Sequence, residues 1–67
     1  MKYIVEQSHK EHGLLARSKS LDRERAIQMC QEGRKNANPG VIIRIFEEPL
    51  PHQRGREVTE ELVDHDG

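Results

Sequence analysis

The stretch "NPGVIIRIFE", residues 38–47, decides the fold of this chain. Pro39 restricts φ at the second position of a four-residue turn, and Gly40 supplies the positive φ of the third position, so a type II turn is predicted here. The apolar run that follows has the length and the β-branched content of a strand. One face of that strand carries Val41, Ile43 and Ile45, and the other carries Ile42, Arg44 and Phe46. Each face needs something to cover it.

Two further strands are predicted before this one. "KYIVEQ" (2–7) alternates apolar and polar residues with period two, which is typical of a half-buried strand. "SHKEHG" (8–13) is a polar loop that ends in glycine, and "LLARSK" (14–19) can return antiparallel, although Leu, Ala and Arg also favour helix. The pair predicts a β-hairpin.

A helix is predicted between the hairpin and the last strand. Ser20 is the expected N-cap, and acidic residues follow it in the first turn. Apolar and small residues then recur at helical spacing and define a stripe, which consists of Ala26, Ile27, Cys30 and Gly33. Gly33 costs about 1 kcal/mol relative to Ala, so either the helix frays there or the glycine lets it lie close to the sheet.

The predicted fold class is α+β: a three-stranded antiparallel sheet in β-β-α-β order, spatial order 2-1-3, with one helix packed on one face. The helix is expected to cover the face that carries Tyr3, Val5, Val41, Ile43 and Ile45. The candidate core is aliphatic and thin, since the chain has one Tyr, one Phe and no Trp. Besides those five it includes Ile4, Leu14, Leu15, Leu21, Ala26, Ile27, Met29, Cys30, Ile42 and Phe46.

Charge divides the 67 residues unevenly. Residues 1–46 hold nine Lys and Arg against five Asp and Glu, whereas residues 47–67 hold two Arg against seven acids. We therefore predict a single domain over 1–48 and an acidic, partly disordered C-terminal tail over 49–67. Within the tail, the region 56–63 predicts either a short fourth strand through Val58 or a short helix with Val58, Leu62 and Val63 on one side.

The motifs of the common enzymes are missing, so no catalytic activity, cofactor or metal is predicted. His9 and His12 form an HxxH pair with Glu11 nearby, but two ligands do not hold a structural zinc ion, and exposed loop histidines are the favoured interpretation. Cys30, the single cysteine, is expected to pack in the core. A lone cysteine and the lack of a long apolar segment favour the cytoplasm and exclude a membrane partner.

In size and layout the chain resembles the small β-β-α-β accessory proteins of phages, mobile elements and bacteria. Several of these, anti-CRISPR proteins among them, are stoichiometric inhibitors of host machinery. The resemblance covers the whole chain and involves no sequence motif. It implies a regulatory role that depends on protein-protein contact.

Protein binding is accordingly the predicted function, with another protein or a second copy of the chain as the partner. A single helix covers only one face of the sheet, so the opposite face is the expected contact surface unless Leu50, Val58 and Leu62 fold back over it. The candidate residues are Ile42, Arg44 and Phe46 on that face, with Glu57, Glu60 and Glu61 as electrostatic contacts. The alternative is a nucleic-acid-binding module that uses Arg17, Lys19, Arg23 and Arg25.

Overall fold

Three strands and two helices are present in the computed structural model, which describes residues 1–48 and 55–64. The elements are β1 (Tyr3–His9), β2 (Gly13–Arg17), α1 (Arg23–Asn36), β3 (Val41–Glu47) and α2 (Thr59–Leu62). The sheet order is β2-β1-β3, and both strand pairs are antiparallel. The predicted fold class and sheet order are confirmed. Within the described ranges, neither helix has the length or the hydrophobicity needed to cross a bilayer.

The turn before β3 has the predicted geometry. Gly40 has a φ of 89°, and the Val41 N–H donates to the Asn38 carbonyl at 3.2 Å. Gly40 is the residue of this turn that tolerates a positive φ without steric cost, so the turn fixes the direction in which β3 leaves it. The Gly40 carbonyl also accepts from the Lys10 N–H at 3.0 Å, which joins this turn to the β1–β2 connection.

Helix α1 begins later than the sequence suggests. The N-cap is Asp22, whose Oδ1 accepts the Arg25 N–H at 2.8 Å, and the prediction of Ser20 as the cap was wrong. The reason is that Leu21 forms two backbone hydrogen bonds with Tyr3. The Tyr3 N–H donates to the Leu21 carbonyl at 2.7 Å, and the Leu21 N–H donates to the Tyr3 carbonyl at 2.8 Å. Leu21 is therefore extended, and the first free residue able to cap the helix is Asp22.

The core lies between α1 and the face of β1 and β3 that was predicted to meet it. Ala26 and Cys30 on the helix are fully buried against Val5, Ile43 and Ile45. Gly33 lies at a close contact between the helix and the sheet, because a Cβ at this position would overlap the Cδ1 atom of Ile43. The helix continues to Asn36, so close approach and not fraying explains this glycine.

Strand β2 contributes less to the core than predicted. All five of its residues are exposed, and Leu14 and Leu15 retain 59% and 50% of their accessible surface. Met29 on α1 is also exposed, at 39%. These three residues were predicted to be core residues, and that prediction was wrong because α1 packs over β1 and β3, away from β2. Ile42, also predicted in the core, is 40% exposed because it lies on the face of the sheet that α1 does not cover.

The β1–β2 register also departs from simple alternation. Gln7 lies opposite Ala16, but the next residue of β1, Ser8, lies opposite Leu14, so Leu15 is an extra residue in β2. Such a β-bulge increases the local twist of the sheet and bends β2 at that point.

The described part of the tail, 55–64, lies against the domain. Glu57 forms an isolated antiparallel bridge with Phe46, and Val58 is buried in the core beside Ile45. Helix α2 follows at once, so the region combines a strand-like bridge with a short helix, the two structures that were predicted as alternatives. Leu50 and the last three residues lie outside the described residues, as does the segment 49–54.

Candidate binding surface

The face of the sheet opposite α1 carries a row of alternating charges. Strand pairing places Arg17 beside Glu6, and Glu6 beside Arg44. The bridge between Phe46 and Glu57 adds Glu57 at the far end of the row. Arg17 Nε lies 3.4 Å from Glu6 Oε2, and Arg44 Nε lies 3.8 Å from Glu57 Oε1. The predicted cation of this face, Arg44, is thus flanked by two acids, which cancel its charge locally.

Apolar residues lie on both sides of that charged row. Phe46 pairs with Ile4 on one side, and both side chains are half-buried. Ile42 lies on the other side, opposite Ser8, and is 40% exposed. The three residues predicted on this face, Ile42, Arg44 and Phe46, do share it, but the charged row separates the two apolar residues.

The three acidic residues predicted as contacts lie close together in the tail, and two of them form ion pairs within the chain. Glu57 pairs with Arg44, and Glu61 accepts from Arg56 Nη1 at 2.6 Å. Arg56 also binds Glu47, at 2.8 Å. Glu60 is exposed at the rim of a wide surface depression of about 340 Å³, which is lined by both signs of charge. The acidic tail therefore neutralises part of its own charge internally.

A second surface, which the sequence did not predict, lies on the helix side of β2. Because α1 does not cover this strand, a groove of about 210 Å³ remains between the strand and the helix. Its apolar lining comes from Val5, Ala16, Met29 and Ile43. Leu14 and Leu15 are also exposed on β2, although Leu14 lies opposite Ser8 and therefore on the face away from α1. The sequence signal for this exposed strand is the pair Leu14 and Leu15 directly after Gly13, a pair that was predicted to lie in the core.

Of the cations of the nucleic-acid alternative, only Arg17 lines this groove. Arg17 is already paired with Glu6, and Lys19 is exposed just after β2. Arg23 and Arg25 occupy the exposed first turn of α1, interrupted by Glu24. Acids thus interleave with the cations in three dimensions as they do along the chain. The alternative stays a prediction.

Cys30 is the single cysteine of the chain. It is fully buried, and its thiol faces the Ile43 carbonyl with an Sγ···O distance of 4.0 Å. Burial raises the pKa of the Cys30 thiol, which outweighs the opposing effect of Arg34. A buried thiol with a raised pKa is a poor nucleophile. The prediction that Cys30 packs in the core is confirmed.

The fold and these surfaces define the class of the protein as a small α+β module with a half-covered sheet. The chain matches no protein-family model, and neither a curated protein nor a solved structure is significantly similar to it.

Proposed function

We propose that this protein is a non-catalytic module that binds another protein through the β2 side of its sheet. The observation that carries the proposal is the exposure of all five β2 residues, two of them leucines. At the opposite end of the sheet, β3 is partly covered by the chain itself: the Glu47 N–H donates to the Arg56 carbonyl at 2.9 Å, and the Val58 N–H donates to the Ile45 carbonyl at 2.8 Å. Strand β2 has no such cover among the described residues.

The free edge of β2 supports strand addition. In an antiparallel edge strand, alternate residues direct their backbone N–H and C=O groups away from the sheet. An extended segment of a partner can bind these groups and continue the sheet. The main-chain hydrogen bonds would supply affinity that depends little on the partner's sequence.

The groove beside β2 supports specificity. Alternate side chains of an added strand fall on the helix side, where Ala16, Met29 and Ile43 line the groove. Its volume of about 210 Å³ is below the range of about 300–1,000 Å³ that is usual for small-molecule sites. The groove therefore suits one or two apolar side chains of a protein partner better than it suits a metabolite.

A module of this kind acts stoichiometrically, by occupying a surface of its partner. That mode of action agrees with the phage-type inhibitors and accessory proteins that the chain resembles in layout. The face opposite α1, which the sequence favoured, is the competing location on the same molecule, and the two surfaces can be separated by substitution.

Matched charge substitutions test the proposal. Leu15→Glu and Met29→Glu alter the β2 side, while Ile42→Glu places the same charge on the opposite face; all three positions are exposed, so each variant is expected to fold. The tagged chain and its variants are used to capture partners from host extract, with quantification by mass spectrometry. Loss of the same partner in the first two variants, with retention in the third, is expected.

The opposite pattern, in which only Ile42→Glu loses the partner, would place binding on the other face and refute the proposed surface. Light scattering on the purified chain identifies a second copy as the partner, since the mass would then be twice the 7.8 kDa of the chain. A gel-shift assay at low salt tests the nucleic-acid alternative, which fails if the full chain does not bind.

A further inference from the structure

The tip of the β1–β2 hairpin gathers three side chains that can bind a metal ion. His9 ends β1, and Glu11 and His12 lie in the turn that follows. One ligand atom from each residue lies within 4.8 Å of the other two. The imidazole rings of His9 and His12 have centroids 4.6 Å apart and are tilted by 36°.

His9 is held in place by the surrounding backbone. Its Nδ1 accepts the Glu11 N–H at 3.0 Å, and its Nε2 lies against Gly40, where an added Cβ would be 2.8 Å away. The Lys10 N–H and the Gly40 carbonyl hold the hairpin tip to the turn before β3. Gly13, with a φ of 79°, closes the hairpin on the other side. One of the three candidate ligands is thus fixed before any ion binds.

The hydrogen bond to His9 also determines which of its nitrogens is available. A neutral imidazole has one N–H and one lone pair, so acceptance at Nδ1 assigns the proton to Nε2. The Nδ1 lone pair therefore points toward the Glu11 backbone, and an ion can bind there only after the Glu11 peptide has turned away. The exposed Glu11 N–H would then bind water.

We propose that the hairpin tip binds one divalent transition-metal ion of the zinc, nickel or copper(II) kind through His9, Glu11 and His12. Two imidazoles and one carboxylate form a known zinc ligand set, with water in the remaining position. Imidazole nitrogen selects these ions over magnesium and calcium, which prefer oxygen ligands. The inference is independent of the function proposed above.

The distances are compatible with such a site after a small movement. A tetrahedral ion with metal–nitrogen bonds of about 2.0–2.1 Å places neighbouring ligand atoms about 3.4 Å apart. The present separation of up to 4.8 Å must therefore close, and both Glu11 and His12 are exposed and free to rotate about their side-chain bonds. The Glu11 peptide must also turn away, because an ion bound to His9 Nδ1 would otherwise overlap the Glu11 nitrogen, which lies 3.0 Å from Nδ1.

Calorimetric titration of the untagged full chain with zinc chloride tests the site. One ion per chain is expected, and the exposed ligand variants His12→Ala and Glu11→Gln should each weaken binding about tenfold or more. The matched control is the double variant His52→Ala and His65→Ala, which removes two histidines outside the described residues and should bind as the wild type does. Circular dichroism confirms that each variant is folded.

Nitrogen-15 NMR spectra of the imidazole rings give a second readout. Zinc should shift the Nδ1 resonance of His9 and leave its Nε2 protonated. Absence of binding heat at millimolar zinc would overturn the proposal. So would unchanged affinity in both ligand variants, or loss of binding in the control.

Discussion

Thr59 is the one buried polar side chain among the described residues, and it joins the tail to the sheet. Its Oγ1 accepts the Ile45 N–H at 2.8 Å and lies 3.4 Å from the Ile45 carbonyl, to which it donates. Ile45 is itself fully buried, so its backbone groups have no access to bulk water. A single hydroxyl therefore completes the hydrogen bonding of the central core residue.

Thr59→Val tests this role at constant size. Loss of the hydroxyl leaves the buried Ile45 N–H without its partner, which is expected to lower the free energy of unfolding by about 1–3 kcal/mol. Thr59→Ser keeps the hydroxyl and loses only a methyl group, so it should cost less. Urea unfolding of the two variants measures the difference, and equal losses would contradict the assigned role.

The position of Thr59 also shows why the tail was hard to predict. A threonine followed by two glutamates has neither the alternation of a strand nor the apolar stripe of a helix, so its burial depends on a contact with Ile45 fourteen residues earlier in the chain. Val58 was placed correctly among the apolar positions of the tail, but its partner in the core could not be inferred from spacing alone. Local patterns do not encode such long-range contacts.

At the level of elements, the periodicity of apolar residues in the sequence predicted the strands and the buried face of the helix. The alternation in β1 and β3 identified Val5, Ile43 and Ile45, and the helical spacing identified Ala26 and Cys30. The lateral position of α1 did not follow, because a helix can cross either pair of strands with the same stripe facing inward. In the structure, α1 packs on β1 and β3, which leaves β2 exposed and creates the groove beside Met29.

Gly33 sets the closeness of α1 to the sheet, and a double-mutant cycle tests it. Gly33→Ala gains about 1 kcal/mol of helix propensity but places a methyl group against Ile43 Cδ1, and overpacking of this kind costs about 1–3 kcal/mol. A net loss of about 1 kcal/mol is therefore expected in urea unfolding.

Ile43→Val removes the clashing Cδ1 atom and alone costs about 0.5–1.5 kcal/mol. In the Ile43→Val background, Gly33→Ala should then become neutral or stabilising. An identical effect of Gly33→Ala in both backgrounds would show that helix and sheet are not in contact at this point.

For the whole molecule, the opposite charges of its two halves are brought together by the fold. Arg34 on α1 binds Asp64 through two hydrogen bonds, of 2.6 and 2.8 Å, and Arg44 on β3 faces Glu57. Both contacts join a cation of the first 46 residues to an acid of the tail. The asymmetry seen in the sequence therefore serves, in part, to hold the tail in position.

Asp64→Asn should lower stability at pH 7, and the effect should depend on pH. The hydrogen bond from Arg34 lowers the pKa of Asp64 below its ordinary value, so the pair stabilises the fold above the unfolded-state pKa. This contribution disappears as the pH falls through the lowered folded-state pKa. The effect is expected to be small, because both side chains are nearly half exposed.

Urea unfolding of the wild type and the variant from pH 7 down to pH values below the Asp64 pKa measures that dependence, with the difference shrinking in acid. Glu60→Gln is the matched control, since it removes a nearby charge that forms no ion pair with the other described residues. A pH-independent difference for Asp64→Asn, or an equal response in Glu60→Gln, would rule out the ion pair as the cause.

The charged row on the open face has a consequence for strand register. If β3 slipped by two residues against β1, each side chain would stay on its present face of the sheet, so the alternation of the strands alone would not prevent the slip. Glu6 would then face Ile42 or Phe46, and Arg44 would face Ser8 or Ile4, in place of the Glu6–Arg44 pairing now present. Opposite charges on facing strands favour their own alignment over these shifted ones. The row therefore favours the present alignment over shifted ones that keep the same residues on each face.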